Sequence, residues 1–178
     1  MQATLPSWDL FITLFFIIGL AYGFILQRER IVATLMSVYA GLVVSELLVN
    51  PVSQFFHGDK TLFNQIWIRS DTPPFTIHLA LFVGIIVLLS AKGGIGSARG
   101  RGLMSHFEVL VYSALNTVLI VSSVFSFLPD PTVAIYSGSS KLVAFIVQYH
   151  DWWLVLPIVA LLFFGFQRHP RRVSYDDE

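Results

Sequence analysis

Four polar residues fall inside stretches that are otherwise apolar: Glu46, His78, Glu108 and Asn116. In hydrocarbon such groups cost free energy unless they are paired or hydrated, and they commonly mark ion or proton paths. Glu46 shares a helical face with Tyr39 and Asn50, at spacings of seven and four residues. His78 exchanges a proton near neutral pH and is the expected partner of Glu46 in a protonatable pair. Around Asn116, the residues Glu108, Tyr112 and Ser123 lie close to one helical stripe, with Ser113 and Thr117 beside it. Two readings of this stripe are open: it lines a wet path, or it makes interhelical hydrogen bonds of about 1 kcal/mol each. For Glu46 and His78 the alternative to pairing is contact with lipid headgroups and water.

Other chemistry has little to rest on. The chain has no cysteine, which removes disulfides and thiolate nucleophiles. The five histidines, His57, His78, His106, His150 and His169, are scattered and show no metal-ligand spacing. The glycine loop around Gly94 and Gly96 follows no strand and lacks the Gly-Lys-Ser/Thr ending of a phosphate-binding loop, and there is no HExxH or GxSxG. Neither an enzyme activity nor a cofactor or metal is expected.

The elements that carry these polar residues are set by the solvent. Of the 178 residues, 55% are hydrophobic and 12% charged, with a mean hydropathy of +0.72. Soluble domains average about 25% charged residues, so the composition points to a bilayer. A span needs roughly 20 apolar residues, and five segments approach that length: 8–26, 31–52, 75–91, 107–128 and 152–166. The fifth is short and begins near 142, 148 or 152. The expectation is an all-α polytopic membrane protein, residues 1–178 forming one membrane domain. The N-terminal stretch lacks the basic lead and small-residue cleavage site of a signal peptide and reads as a retained span.

Cation placement supplies an orientation. With the Gln27 to Arg30 turn in the cytoplasm, Arg28, Arg30, Lys92, Arg99, Arg101, Arg168, Arg171 and Arg172 lie inside, and Lys60, Arg69 and Lys141 outside. The N-terminus is therefore expected outside and the C-terminus in the cytoplasm. Two outer connections read as interfacial helices: one through Phe55, Leu62, Phe63, Ile66 and Trp67, the other through Leu142, Val143, Phe145, Ile146 and Val147, capped by Ser139 or Ser140. In the second, Pro129, Pro131 and Gly138 mark turns ahead of that helix.

Small residues suggest how the spans meet. Gly19 and Gly23 share a face of the first span, and Ala33, Ser37, Gly41 and Ser45 recur every four residues in the second. Small residues let backbones approach in lipid, so these two faces are expected to meet in an antiparallel hairpin, with contact between chains of a homo-oligomer as the alternative. Asp9 complements the positive end of the first helix, where it or Ser7 is expected to cap the first turn.

Asp9 at the start of an aliphatic run, Gly23-Phe24 fourteen residues later, the Arg28-Glu29-Arg30 turn and then Ser37 and Gly41 resemble the colicin V production (CvpA) family of small bacterial membrane proteins. The resemblance covers about the first 50 residues. It implies an inner-membrane protein associated with production and export of a peptide toxin and with envelope maintenance. Two functions are carried forward. One is a small transport-related or pore-forming component using Glu46, His78, Glu108 and Asn116 along a polar path, which five helices can enclose only in an oligomer or with a partner. The other is a non-catalytic scaffold that recruits envelope or secretion proteins. The expected partners are the lipid bilayer, further copies of the chain and other membrane proteins, with no nucleic acid.

Overall fold

The computed structural model describes residues 8–25, 27–56, 73–91 and 106–166. They form seven helices: α1 (Trp8–Ile25), α2 (Gln27–Phe56), α3 (Pro74–Ala91), α4 (His106–Ser126), α5 (Asp130–Ser139), α6 (Lys141–Gln148) and α7 (His150–Phe166). No strand occurs among the described residues. The connection 57–72, with most of the first expected interfacial helix, and the basic segments 92–105 and 167–178 lie outside them.

Apolar composition and terminal residues explain where the helices begin. Pro74 opens α3 at a position where a missing N–H costs nothing, and Thr76 N–H bonds the Pro73 carbonyl at 2.9 Å. α2 runs through Pro51 to Phe56, beyond the expected end of the second span. Its 30 residues reach about 45 Å, more than the roughly 30 Å of a hydrocarbon core. The Gln27 to Arg30 segment, expected as a turn, is the first turn of α2.

Among the described residues three helices are long and apolar enough to cross a membrane: Ile31–Phe55 within α2, Pro74–Ala91, and Phe107–Ser126 within α4. α6 and α7 together reach that length but bend by 68° at Tyr149. Within α1, the stretch Trp8–Gly23 is a shorter apolar helix. Helix α7 starts at His150, and α6 precedes it as a separate helix across the bend.

α4 is the centre of the bundle, packing against α1, α2, α6 and α7, while α2 makes its largest contact with α3. One core joins Ile31, Leu35 and Val38 of α2, Phe82 of α3, and Val109, Tyr112 and Leu119 of α4. A second joins Ile12 of α1, Val121 and Phe125 of α4, and Val143 and Ile146 of α6. Outside these cores the long helices present large apolar side chains outward, among them Ile17 and Ile18, Leu47, Val87 and Phe163. Water is a poor solvent for such a surface.

The small-residue faces meet other partners than the expected hairpin. α1 packs mainly on α4 and touches α2 much less. A Cβ at Gly19 would overlap Thr117, and one at Gly23 would overlap Ser113, both on α4. Gly41 instead faces α3, where a Cβ would lie 3.0 Å from Ile86 Cγ1 and 3.4 Å from Phe82. Thus glycine receives small hydroxyl residues on one side, and larger side chains of α3 fill the other ladder. In that ladder Ser37 and Ser45 are buried and bond their own helix, at the Ala33 and Leu42 carbonyls.

The proline-marked stretch also departs from expectation, because α5 is helical from Asp130 to Ser139. Pro131 lies in its first turn, where no intrahelical acceptor is lost, and Thr132 and Val133 donate to the Pro129 carbonyl.

Candidate functional site

The polar residues divide into separate places. Glu46, late in α2, lies with its Oε2 3.4 Å from His78 Nε2 in the first turns of α3. The Glu46 side chain is 75% exposed and that of His78 13%, so the pair sits at a surface with the imidazole on the inner side. The contact is an ion-pair distance without hydrogen-bond geometry, and His78 Nε2 is buried with no hydrogen-bond partner. The imidazole plane is fixed by Phe127, stacked at 3.8 Å and 17°, and Phe82 packs edge-on against Phe127. Asn50 is exposed, and Tyr39 turns to α7, where its hydroxyl donates to the Leu154 carbonyl at 2.5 Å.

Asn116 lies elsewhere, in a pocket at the junction of α1, α2 and α4 lined by Gly19, Tyr22, Gly23, Ile31, Thr34 and Ser113. Its Oδ1 is buried without a hydrogen-bond partner. The pocket volume is about 20 Å³, too small for a solute path through one chain. Glu108 is in the first turn of α4, whereas His78 packs beside Phe127 just past its end. The axial separation is about 28 Å at 1.5 Å per residue.

Most of the α4 stripe is satisfied locally. Ser113, Thr117 and Ser123 hydroxyls donate to the carbonyls of Val109, Ser113 and Leu119, one turn earlier. Tyr112 reaches across to the Ala160 carbonyl of α7 at 3.3 Å. This local bonding is an ordinary alternative for hydroxyls in helices, and it leaves Asn116 Oδ1 as a buried polar atom of the stripe with no hydrogen-bond partner.

At the Glu46 end of the bundle, two further contacts were not legible as pairs. Asp9 Oδ1 accepts from Ser140 Oγ at 2.5 Å and from Leu142 N–H at 3.2 Å, so the α1 carboxylate caps α6 rather than its own helix. Ser122 Oγ lies 2.6 Å from His150 Nδ1. Ser122 is only 2% exposed, so this Ser-His contact fixes the start of α7 on α4 and offers no nucleophile to a substrate. Beside it, Phe145, Tyr149, Trp152, Trp153 and Leu156 line an open groove of about 350 Å³ in the α6–α7 elbow. Among the described residues no group of three or more His, Asp or Glu side chains is placed to hold a metal ion.

No protein-family model, curated protein or solved structure matches the chain.

Proposed function

We propose that the chain is a five-span integral protein of the cell membrane, CvpA-like, acting as a small transport-related or pore-forming component of the envelope. The observation that carries this reading is the Glu46 and His78 pair, an exposed carboxylate over a fixed imidazole near the end of two long apolar helices. An ionisable pair in such a place is the usual mark of an ion or proton pathway. The large apolar side chains around the bundle support the membrane setting, and the inside bias of cations supports a cytoplasmic C-terminus.

The pocket at Asn116 is too small to conduct through one chain, so the path in this reading runs between copies of the chain, along the face where Glu46 is exposed. The test is ion or solute flux in vesicles containing the purified protein, with its oligomeric state measured in the same lipid. A conducting wild type whose flux falls in Glu46→Gln supports the proposal. Unchanged flux in a correctly inserted Glu46→Gln variant rejects it.

A second reading is favoured by the open aromatic groove of the α6–α7 elbow: a scaffold that recruits envelope or secretion partners at this end. A wild type that conducts nothing in any oligomeric form, and binds membrane partners through the elbow, selects it.

A further inference from the structure

The junction of α1, α2 and α4 contains a small built site that the pathway reading does not use. Four of its lining side chains carry oxygen: Tyr22 from α1, Thr34 from α2, and Ser113 and Asn116 from α4. Gly19 and Gly23 leave their share of the wall without side chains. Asn116 Oδ1 is buried and makes no hydrogen bond to protein. A buried carbonyl left in that state is destabilising, and native structures normally avoid it through protein or solvent partners.

The size and charge of the pocket select the ligand. A volume of about 20 Å³ exceeds the roughly 10–15 Å³ needed for a water molecule and excludes anything much larger. Among the described residues no Asp, Glu, Lys, Arg or His lines it, so an ion would lose its hydration without a compensating charge from them. We propose that this pocket is a binding site for one water molecule, which donates to Asn116 Oδ1. Ser113 Oγ already donates to the Val109 carbonyl at 2.8 Å, so it is left as a second acceptor for the same water. The water thereby ties α4 to α1 at the level of the glycine contact, and this holds whether or not the bundle conducts.

The test is radiolytic hydroxyl-radical labelling of the full chain in lipid nanodiscs, in which radicals form from bound water beside the residues that become oxidised. Ile31 lines the pocket and is 4% exposed, while Leu35, one turn further along α2, is fully buried away from it. Ile31 is expected to label several-fold faster than Leu35, and Asn116→Leu is expected to remove most of that excess. Equal labelling of Ile31 and Leu35 in the wild type overturns the proposal without recourse to any variant. An excess that persists in a folded Asn116→Leu protein overturns it as well, because access would then come from outside the pocket. Neither readout depends on flux, so failure here is distinct from failure of the transport reading.

Discussion

Asp9 and Ser140 are 131 residues apart in the chain and in direct hydrogen-bond contact, with the serine hydroxyl donating to Oδ1 at 2.5 Å. Ser140 also accepts from Val143 N–H at 3.1 Å, and Asp9 accepts from Leu142 N–H, so the two side chains together satisfy the first turn of α6. This joins the start of α1 to the element that leads into α7. It also explains why α6, with eight residues, persists as a helix far shorter than the ~12–15 residues needed in isolation.

Loss of this cap is expected to show first in α6. Ser140→Ala removes the acceptor for Val143 and is expected to cost about 1 kcal/mol. Asp9→Ala is expected to speed amide hydrogen exchange at Leu142, and Asp9→Asn, which keeps an oxygen, to do so less. Because both residues hold the same turn, the double variant should lose less stability than the two singles added together. Strict additivity in unfolding measurements would show that the two caps act independently.

The glycines give a graded series. Gly23→Ala and Gly19→Ala place a Cβ into Ser113 and Thr117, and overpacking of this kind costs about 1–3 kcal/mol or more. Gly41→Ala places its Cβ 3.0 Å from Ile86 Cγ1, a tight contact without the overlap met at Gly19 and Gly23, and is expected to cost less. A Cβ at Gly84 meets nothing within 4 Å, so Gly84→Ala should be neutral or gain about 0.5–1 kcal/mol from helix propensity. Ser113→Gly is expected to restore part of the stability lost in Gly23→Ala. Unfolding in detergent orders the four substitutions, and a Gly84→Ala loss as large as that of Gly23→Ala would contradict the packing.

These cases show what the sequence could and could not reveal. Apolar runs marked the long helices because bilayer-scale length is a local property, and Ser140 was one of two expected caps because capping is local too. The partner of Gly19 and Gly23 was not local. A short connection suggested α2, but the complement to a glycine notch is a small side chain, and Ser113 and Thr117 lie about 90 residues away. Asp9 looked like the cap of its own helix because nothing near it announces Ser140. α5 was hidden because proline reads as a breaker, although in a first turn it is tolerated. Of the candidate site, the closeness of Glu46 and His78 followed from both lying near the same expected boundary. The pocket at Asn116 needed three helices in place before it existed.

At the Glu46 and His78 pair, ring stacking and charge can be separated. Because Glu46 is 75% exposed, the ion pair itself should contribute about 0–1 kcal/mol, and Glu46→Gln should leave stability nearly unchanged. His78→Phe keeps the stack on Phe127 and removes a buried nitrogen that has no hydrogen bond, so it is expected to match or exceed the wild type in stability. His78→Ala loses the stack, worth about 0.5–1.5 kcal/mol beyond its burial. If His78→Phe instead unfolds as easily as His78→Ala, the imidazole nitrogen is required for the fold.

Helix α7 is held by two tyrosines on either side of a buried proline. Tyr39 of α2 bonds the Leu154 carbonyl at 2.5 Å, Tyr112 of α4 bonds the Ala160 carbonyl at 3.3 Å, and Pro157 lies between them. Pro157 has no N–H to offer the Trp153 carbonyl, so the ladder of α7 is already weakened there, and cross-helix donors have more effect than in an unbroken helix. Tyr39→Phe is expected to cost about 0.5–1.5 kcal/mol. Tyr112→Phe is expected to cost less, because its bond is longer and the Ala160 carbonyl lies beyond the break. Amide exchange in α7 should quicken more around Leu154 in the first variant than around Ala160 in the second. The reverse order would mean that α7 is held by its contact with the Tyr112 ring and by the Ser122 to His150 contact at its start, and that the tyrosine hydroxyls are incidental to its position.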